Sequence, residues 1–195
     1  MSKSDPSASK KERNRTIRWV VTIFLVTIVI SGTISFVSTE IMEGSSLPVA
    51  FAILLAIVLL GIVFDIIGVA VTSADEKPFH SMASRKVPGS LEAIRLLRNA
   101  ERVSSICNGV VGDVCGVVSG AAAATIAAGV LKSFSASRQD IVSLAMSSLV
   151  AGLTVGGKAI GKTVAIRSCT SIVSTVGRVL YFFRNMRELF RKKKK

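Results

Sequence analysis

Histidine is nearly missing from this chain of 195 residues: His80 is the only one. A multi-histidine metal centre and a Ser-His-Asp hydrolase therefore have no support within one chain. The three cysteines, Cys107, Cys115 and Cys169, show no C-x-x-C spacing. They point to neither a disulfide framework nor a zinc site, and read as small apolar residues. Acid is scarce as well, with 12 Asp and Glu against 25 Lys and Arg, a net charge of +13. No nucleophile and base can be assembled, so no enzyme is expected, and no nucleic-acid partner.

What is abundant is apolar sequence. Half of the residues are hydrophobic and mean hydropathy is +0.57. High hydropathy and high positive charge conflict in a soluble domain but agree in a small polytopic membrane protein with basic flanks. Four stretches approach the roughly 20 apolar residues that cross a hydrocarbon core: Trp19–Val37, Leu47–Ser73, Val103–Leu131 and Ile141–Ile160. The expected fold class is all-α, with four transmembrane helices plus amphipathic juxtamembrane helices.

Charge sets the expected orientation. Six Lys and Arg precede Trp19, none lies in Ser38–Ser46, six lie in Ala74–Arg102, two (Lys132 and Arg138) follow span 3, and nine follow Lys162. This alternation places both termini in the cytoplasm by the positive-inside rule. An integral protein of a bacterial plasma membrane is expected. The first span is longer than a secretory signal core and lacks a clear cleavage site, so it is expected to be retained.

Three regions follow. Residues 1–16 form a basic arm, rich in Ser and Lys and without apolar periodicity, expected to be disordered. Residues 17–162 form the membrane domain. Residues 163–195 form a basic amphipathic tail: Ile172, Val173, Val176, Val179, Leu180 and Phe183 make an apolar stripe. Arg178, Arg184, Arg187, Arg191 and Lys192–Lys195 supply a basic head suited to anionic lipid head groups. In the second connection, Pro78 and Pro88-Gly89 read as helix breakers. Leu91, Ile94, Leu97 and Ala100 then recur every three residues, an expected interfacial helix.

Asp65 lies within span 2, and an acid at membrane depth is a functional-site candidate. Pairing with a base, holding a proton and lining a water-filled cavity all remain open for it. Val69, Thr72 and Glu76 fall within about 40° of Asp65 on an ideal helix, with Ser73 beside them. Span 3 carries Asn108 near its start, then Gly109, Gly112, Gly116 and Gly120, which permit close helix approach and expose carbonyls. Asp113 lies about 140° from Asn108. Oxygen ligands of this type suit a hard cation such as Mg2+. Equally open from chemistry alone, Ser73 caps its own backbone, Glu76 is solvated, and Asn108 bonds between helices.

Ser73-Ala74-Asp75-Glu76, Ile106-Cys107-Asn108-Gly109-Val110-Val111-Gly112 and Gly157-Lys158-Ala159-Ile160-Gly161-Lys162 occur in that order. In them, residues 63–162 resemble the transmembrane (DUF21) domain of the CNNM/CorC group of magnesium-transport-related proteins. The resemblance matches an S-A-x-E-like motif, an Asn-containing Gly-rich stretch and a G-E-x-x-P-K pattern. It implies a three-helix unit that dimerises and binds Mg2+ between helices, with Ser73 and Asn108 as ligands and Glu76 nearby; the span-3 glycines, Gly112 among them, would let backbone carbonyls complete the shell. The tandem CBS module of the family is not expected here. The family's acid in the third helix is replaced by Lys158, and its proline by Gly161. An ammonium at that place repels a divalent ion, occupies the cation's position itself, or snorkels to the surface. The first outcome opposes a divalent ion, the second makes a non-transporting scaffold, and the third leaves the ion site intact.

Gly156 to Thr163 also match G-x-x-x-x-G-K-T. The phosphate-binding loop needs a strand before it and an α/β domain around it. An apolar span precedes it here, so nucleotide binding is not expected.

Overall fold

The computed structural model describes residues 6–43, 45–131 and 139–192. The N-terminal residues 1–5, Lys132, Arg138 and the last three lysines lie outside the described residues. Helix is the only regular secondary structure among those described. In chain order the elements are α1 (Pro6–Glu43), α2 (Leu47–Ser73), α3 (Lys77–Ser84), α4 (Ser90–Arg98) and α5 (Ala100–Ser104). A π-helical segment (Ser105–Val111) then leads into α6 (Gly112–Leu131), followed by α7 (Gln139–Arg167) and α8 (Cys169–Lys192). Among the described residues, four stretches are long and apolar enough to cross a membrane: Thr16–Ser38, Leu47–Ser73, Ala100–Gly129 and Ile141–Arg167. The protein is an all-α, membrane-embedded bundle, and its many exposed Leu, Ile, Val and Phe side chains suit a lipid solvent.

Several local features differ from expectation for identifiable reasons. The N-terminal arm is helical from Pro6, and α1 runs without a break into the first span. Proline is well tolerated in a first helical turn, and the Lys, Glu and Arg that follow are good helix formers. Pro78 likewise opens a helix, standing in the first turn of α3. His80, two residues after this proline, is therefore an exposed helical residue of α3. α7 continues past Lys162 to Arg167.

Helix α2 is the hub, touching α5, the π-helical segment, α6, α7 and α8. α1 packs mainly on α6. Two apolar clusters stand at opposite ends of α2. One joins Ala50, Leu54 and Val58 to Ala122, Ala123, Ile126 and Val150. The other joins Ala70 and Val71 to Phe79, Ala93, Ile94, Leu97, Ala165 and Val173. Phe79 is fully buried there, which fixes α3 beneath the end of α2.

Helix α4 packs on α8, and that contact decides which face it hides. Ala93, Ile94 and Leu97 are buried, as is Glu92, whereas Leu91 is 59% exposed. A strict three-residue spacing drifts about 60° per step around an α-helix, so one neighbour cannot cover all of it. Gly89, at φ 86°, turns the chain into α4. A Cβ there would meet the backbone of Gly177 and Arg178, and one on Gly177 would stand 2.5 Å from the Gly89 carbonyl oxygen. The start of α4 thus lies backbone against backbone on α8.

Candidate functional site

The buried face of α2 reads Ala50, Leu54, Val58, Gly61, Asp65 and Gly68. The spacing of four, four, three, four and three keeps these residues on one side of the helix. Asp65 is the acid of that stripe and is only 5% exposed. The glycines on either side receive side chains from the neighbouring rod. A Cβ on Gly61 would stand 2.9 Å from Cys115 Cβ, and one on Gly68 would overlap Asn108 Oδ1. The two pairings define an antiparallel register in which Asp65 stands across from the Val111–Gly112 level.

Asn108 sits in the π-helical segment. Such segments widen the turn and recur at functional sites. Its Nδ2 donates to Ser104 Oγ at 3.3 Å. Its Oδ1 is buried without a hydrogen-bond partner, and so is Asp65 Oδ2. Two orphaned oxygens at one helix interface are unusual, because each forfeits about 1–3 kcal/mol of solvation.

Helix α7 closes the third side. A Cβ on Gly161 would come 2.8 Å from Ile66 Cγ1, and one on Gly157 would collide with Ile62 Cδ1. These two contacts align α7 parallel to α2 and put Lys158 near the level of Asp65. The half-buried Lys158 reaches across to α6, where Nζ donates a long 3.5 Å hydrogen bond to the Gly112 carbonyl. Among the described residues Lys158 makes no ion pair within 4.0 Å, with Asp65 or with any other acid.

Asp65, Asn108, Gly112 and Lys158 therefore lie along the same interface of α2, the π-helical segment and α7, spread over about 7.5 Å of α2 between the Val63 and Gly68 levels, between the two apolar clusters. The other candidates lie elsewhere. Ser73 ends α2 and is exposed, about 7.5 Å beyond the Gly68 level by helical rise. Thr72 is exposed and its Oγ1 donates to the Val69 carbonyl at 2.9 Å. Glu76 Oε2 lies 3.2 Å from His80 Nε2 and 3.6 Å from Arg98 Nε, two bases that hold it at the end of the bundle. Asp113 is exposed. Of the expected oxygen stripe on α2, only Asp65 belongs to the buried face.

The donor set permits a hard cation in part. Among the described residues no three His, Cys, Asp or Glu come together. An ion here would rest on the Asp65 carboxylate, the Asn108 amide oxygen, the Gly112 carbonyl and water, a set that Mg2+ accepts. The Lys158 ammonium opposes it. A second polar feature escaped the sequence, since its partners are 92 residues apart: Arg184 Nη1 donates to the buried Glu92 Oε1 at 3.0 Å. Arg95 Nη1 also lies 3.8 Å from that oxygen. This pair borders a cleft of about 420 Å³ between α8 and the turn from α3 to α4. No family model matches the chain, and neither does any curated protein or solved structure.

Proposed function

We propose that this chain is an integral membrane protein that binds or transports a divalent cation, Mg2+ first among the candidates, between α2, the π-helical segment and α7. The observation that carries the proposal is the pair of buried oxygens without partners, Asp65 Oδ2 and Asn108 Oδ1. Electron-rich oxygens facing one interface are what a cation satisfies. The site is proposed to differ from the CNNM/CorC-type arrangement in resting on Asp65 rather than on Ser73 and Glu76. A bacterial plasma membrane, cytoplasmic termini and a homodimer belong to the same proposal, and the basic flanks support the orientation.

A second reading rests on the Lys158 hydrogen bond to Gly112. Here the ammonium is the resident cation and the protein is a non-transporting membrane scaffold. Thermal melting of the purified protein across millimolar Mg2+ separates the two readings. Cation binding predicts a melting temperature that rises with Mg2+ in the parent and is flat in Asn108→Leu, together with Mg2+ uptake into proteoliposomes. The scaffold predicts a flat parent and a response that first appears in Lys158→Met. A flat response in both parent and Lys158→Met rejects cation binding.

A further inference from the structure

The outward face of α8 has no counterpart in the cation site. With about 100° per residue, Val173, Gly177 and Arg184 lie on one side of α8, where α4 packs. Val173 and Gly177 are buried there, and Arg184 holds Glu92. Val179, Phe182, Phe183 and Met186 gather in an arc of about 100° centred roughly 150° away from that side. All four are exposed, Phe183 the most at 63%. α8 therefore carries a partner helix on one flank and an apolar, aromatic flank opposite it.

Position and charge identify what covers that flank. Only Ser168 separates α8 from α7, one of the stretches able to cross a membrane. Val173 is packed with Ala70 and Val71 at the end of α2, and with Ala165 near the end of α7. α8 is thus fastened where two spans end. Its sequence adds Arg178, Arg184, Arg187, Arg191 and the run Lys192–Lys195, against a single acid, Glu188. Basic residues beside an exposed aromatic face complement an anionic leaflet.

We propose that α8 is a membrane-interface helix that inserts Val179, Phe182, Phe183 and Met186 into the acyl boundary of an anionic leaflet, with α4 seated on its aqueous side. The Glu92–Arg184 pair then serves as the strap that keeps α4 on the watery flank and fixes the rotation of α8. Tyr181, which lines the cleft beside α4, stays at the aqueous boundary.

Full-length protein with Trp19→Phe, carrying either Phe183→Trp or Tyr181→Trp, is reconstituted into phosphatidylcholine vesicles with or without phosphatidylglycerol. Lipids brominated in the acyl chain are expected to quench the indole at position 183 at least about twofold more than that at 181. Iodide in the water should show the reverse order. The difference should grow with phosphatidylglycerol and shrink when Arg187, Arg191 and Lys192 are all changed to Gln. Equal bromolipid quenching at the two positions overturns the proposal. So does efficient cross-linking between copies through Phe183→Cys in these vesicles, which would assign the face to a second chain. Neither readout involves the cation site, so it stands or falls separately.

Discussion

Gly89 and Gly177 approach so closely that a methyl group on either would meet the other's backbone within 2.6 Å. Backbone atoms cannot swing aside as a side-chain end can. Gly177→Ala should therefore push α4 off α8 and lower stability by about 1–3 kcal/mol, the usual cost of overpacking. Gly89→Ala should cost as much or more, because its positive φ is also strained for any residue with a Cβ. Gly116 and Gly120 provide the control, since a Cβ on either meets nothing within 4 Å. Alanine there should be neutral or raise the melting temperature through helix propensity. A lowered dimer fraction in Gly116→Ala by size-exclusion chromatography would instead place a second copy on that face.

The four spans and the helical class were legible because length and hydropathy encode them directly, with Leu47–Ser73 readable to the residue. The polar site was half legible. Asp65 and Asn108 stand out chemically, but their placement along one interface depends on Gly61 and Gly68, which show their meaning only when Cys115 and Asn108 pack against them. The family-like motif drew attention to Ser73 and Glu76, yet Pro78 starts a helix there and Arg98 returns to bind Glu76. Glycines on span 3 looked like the packing stripe. In the fold the close contacts fall on Gly61, Gly68, Gly157 and Gly161 instead, because which helix supplies the small residue depends on the side chain opposite. Glu92 and Arg184 offered no local signal at all.

A test of the polar site follows from Gly68. Its hydrogen leaves just enough room for the Asn108 amide, and Gly68→Ala would drive Oδ1 out of place. The variant should lose any Mg2+-dependent rise in melting temperature. Asp65→Asn should lose that rise too, without lowering the metal-free melting temperature, since it replaces a buried carboxyl group whose Oδ2 lacks a partner with an amide of the same shape. Ligand-linked stabilisation reaches about 2.7 kcal/mol at one hundred times the dissociation constant, which is easily resolved by melting. Retained Mg2+ response in both variants would remove Asp65 and Asn108 from the site.

Glu92 and Arg184 lend themselves to a double-mutant cycle. Glu92 is about one-tenth exposed at its side chain and Arg184 about half, at a 3.0 Å separation. An exposed pair contributes about 0–1 kcal/mol, whereas a charge-assisted hydrogen bond to a buried group reaches about 1.5–3 kcal/mol. With one partner half in water, the coupling between Glu92→Gln and Arg184→Gln is expected near 1 kcal/mol and should fall in high salt. Arg184→Gln alone should be the gentler single change, since Arg95 stays near the same oxygen at 3.8 Å. Zero coupling in urea or thermal melts would deny the pair its role as a strap.

The GxxxG sequence formed by Gly157 and Gly161 discriminates helix packing from phosphate binding, the other reading that these glycines permit. Ile62 and Ile66, one turn apart on α2, sit against them as two adjacent knobs. At Gly157 the obstruction is the free end of Ile62, which can rotate, so Gly157→Ala should be nearly neutral. At Gly161 the added Cβ faces Ile66 Cγ1 at 2.8 Å and Cδ1 at 3.0 Å, with Ile62 Cγ2 at 3.5 Å closing the other side. Gly161→Ala should therefore cost about 1–3 kcal/mol. Ile66→Val removes the Cδ1 methyl and should restore part of that loss, a rescue that only contact across α2 and α7 explains. Millimolar ATP with Mg2+ should add nothing to the melting temperature beyond Mg2+ alone. An ATP-specific rise that disappears in Lys162→Ala would return these glycines to a phosphate-binding role.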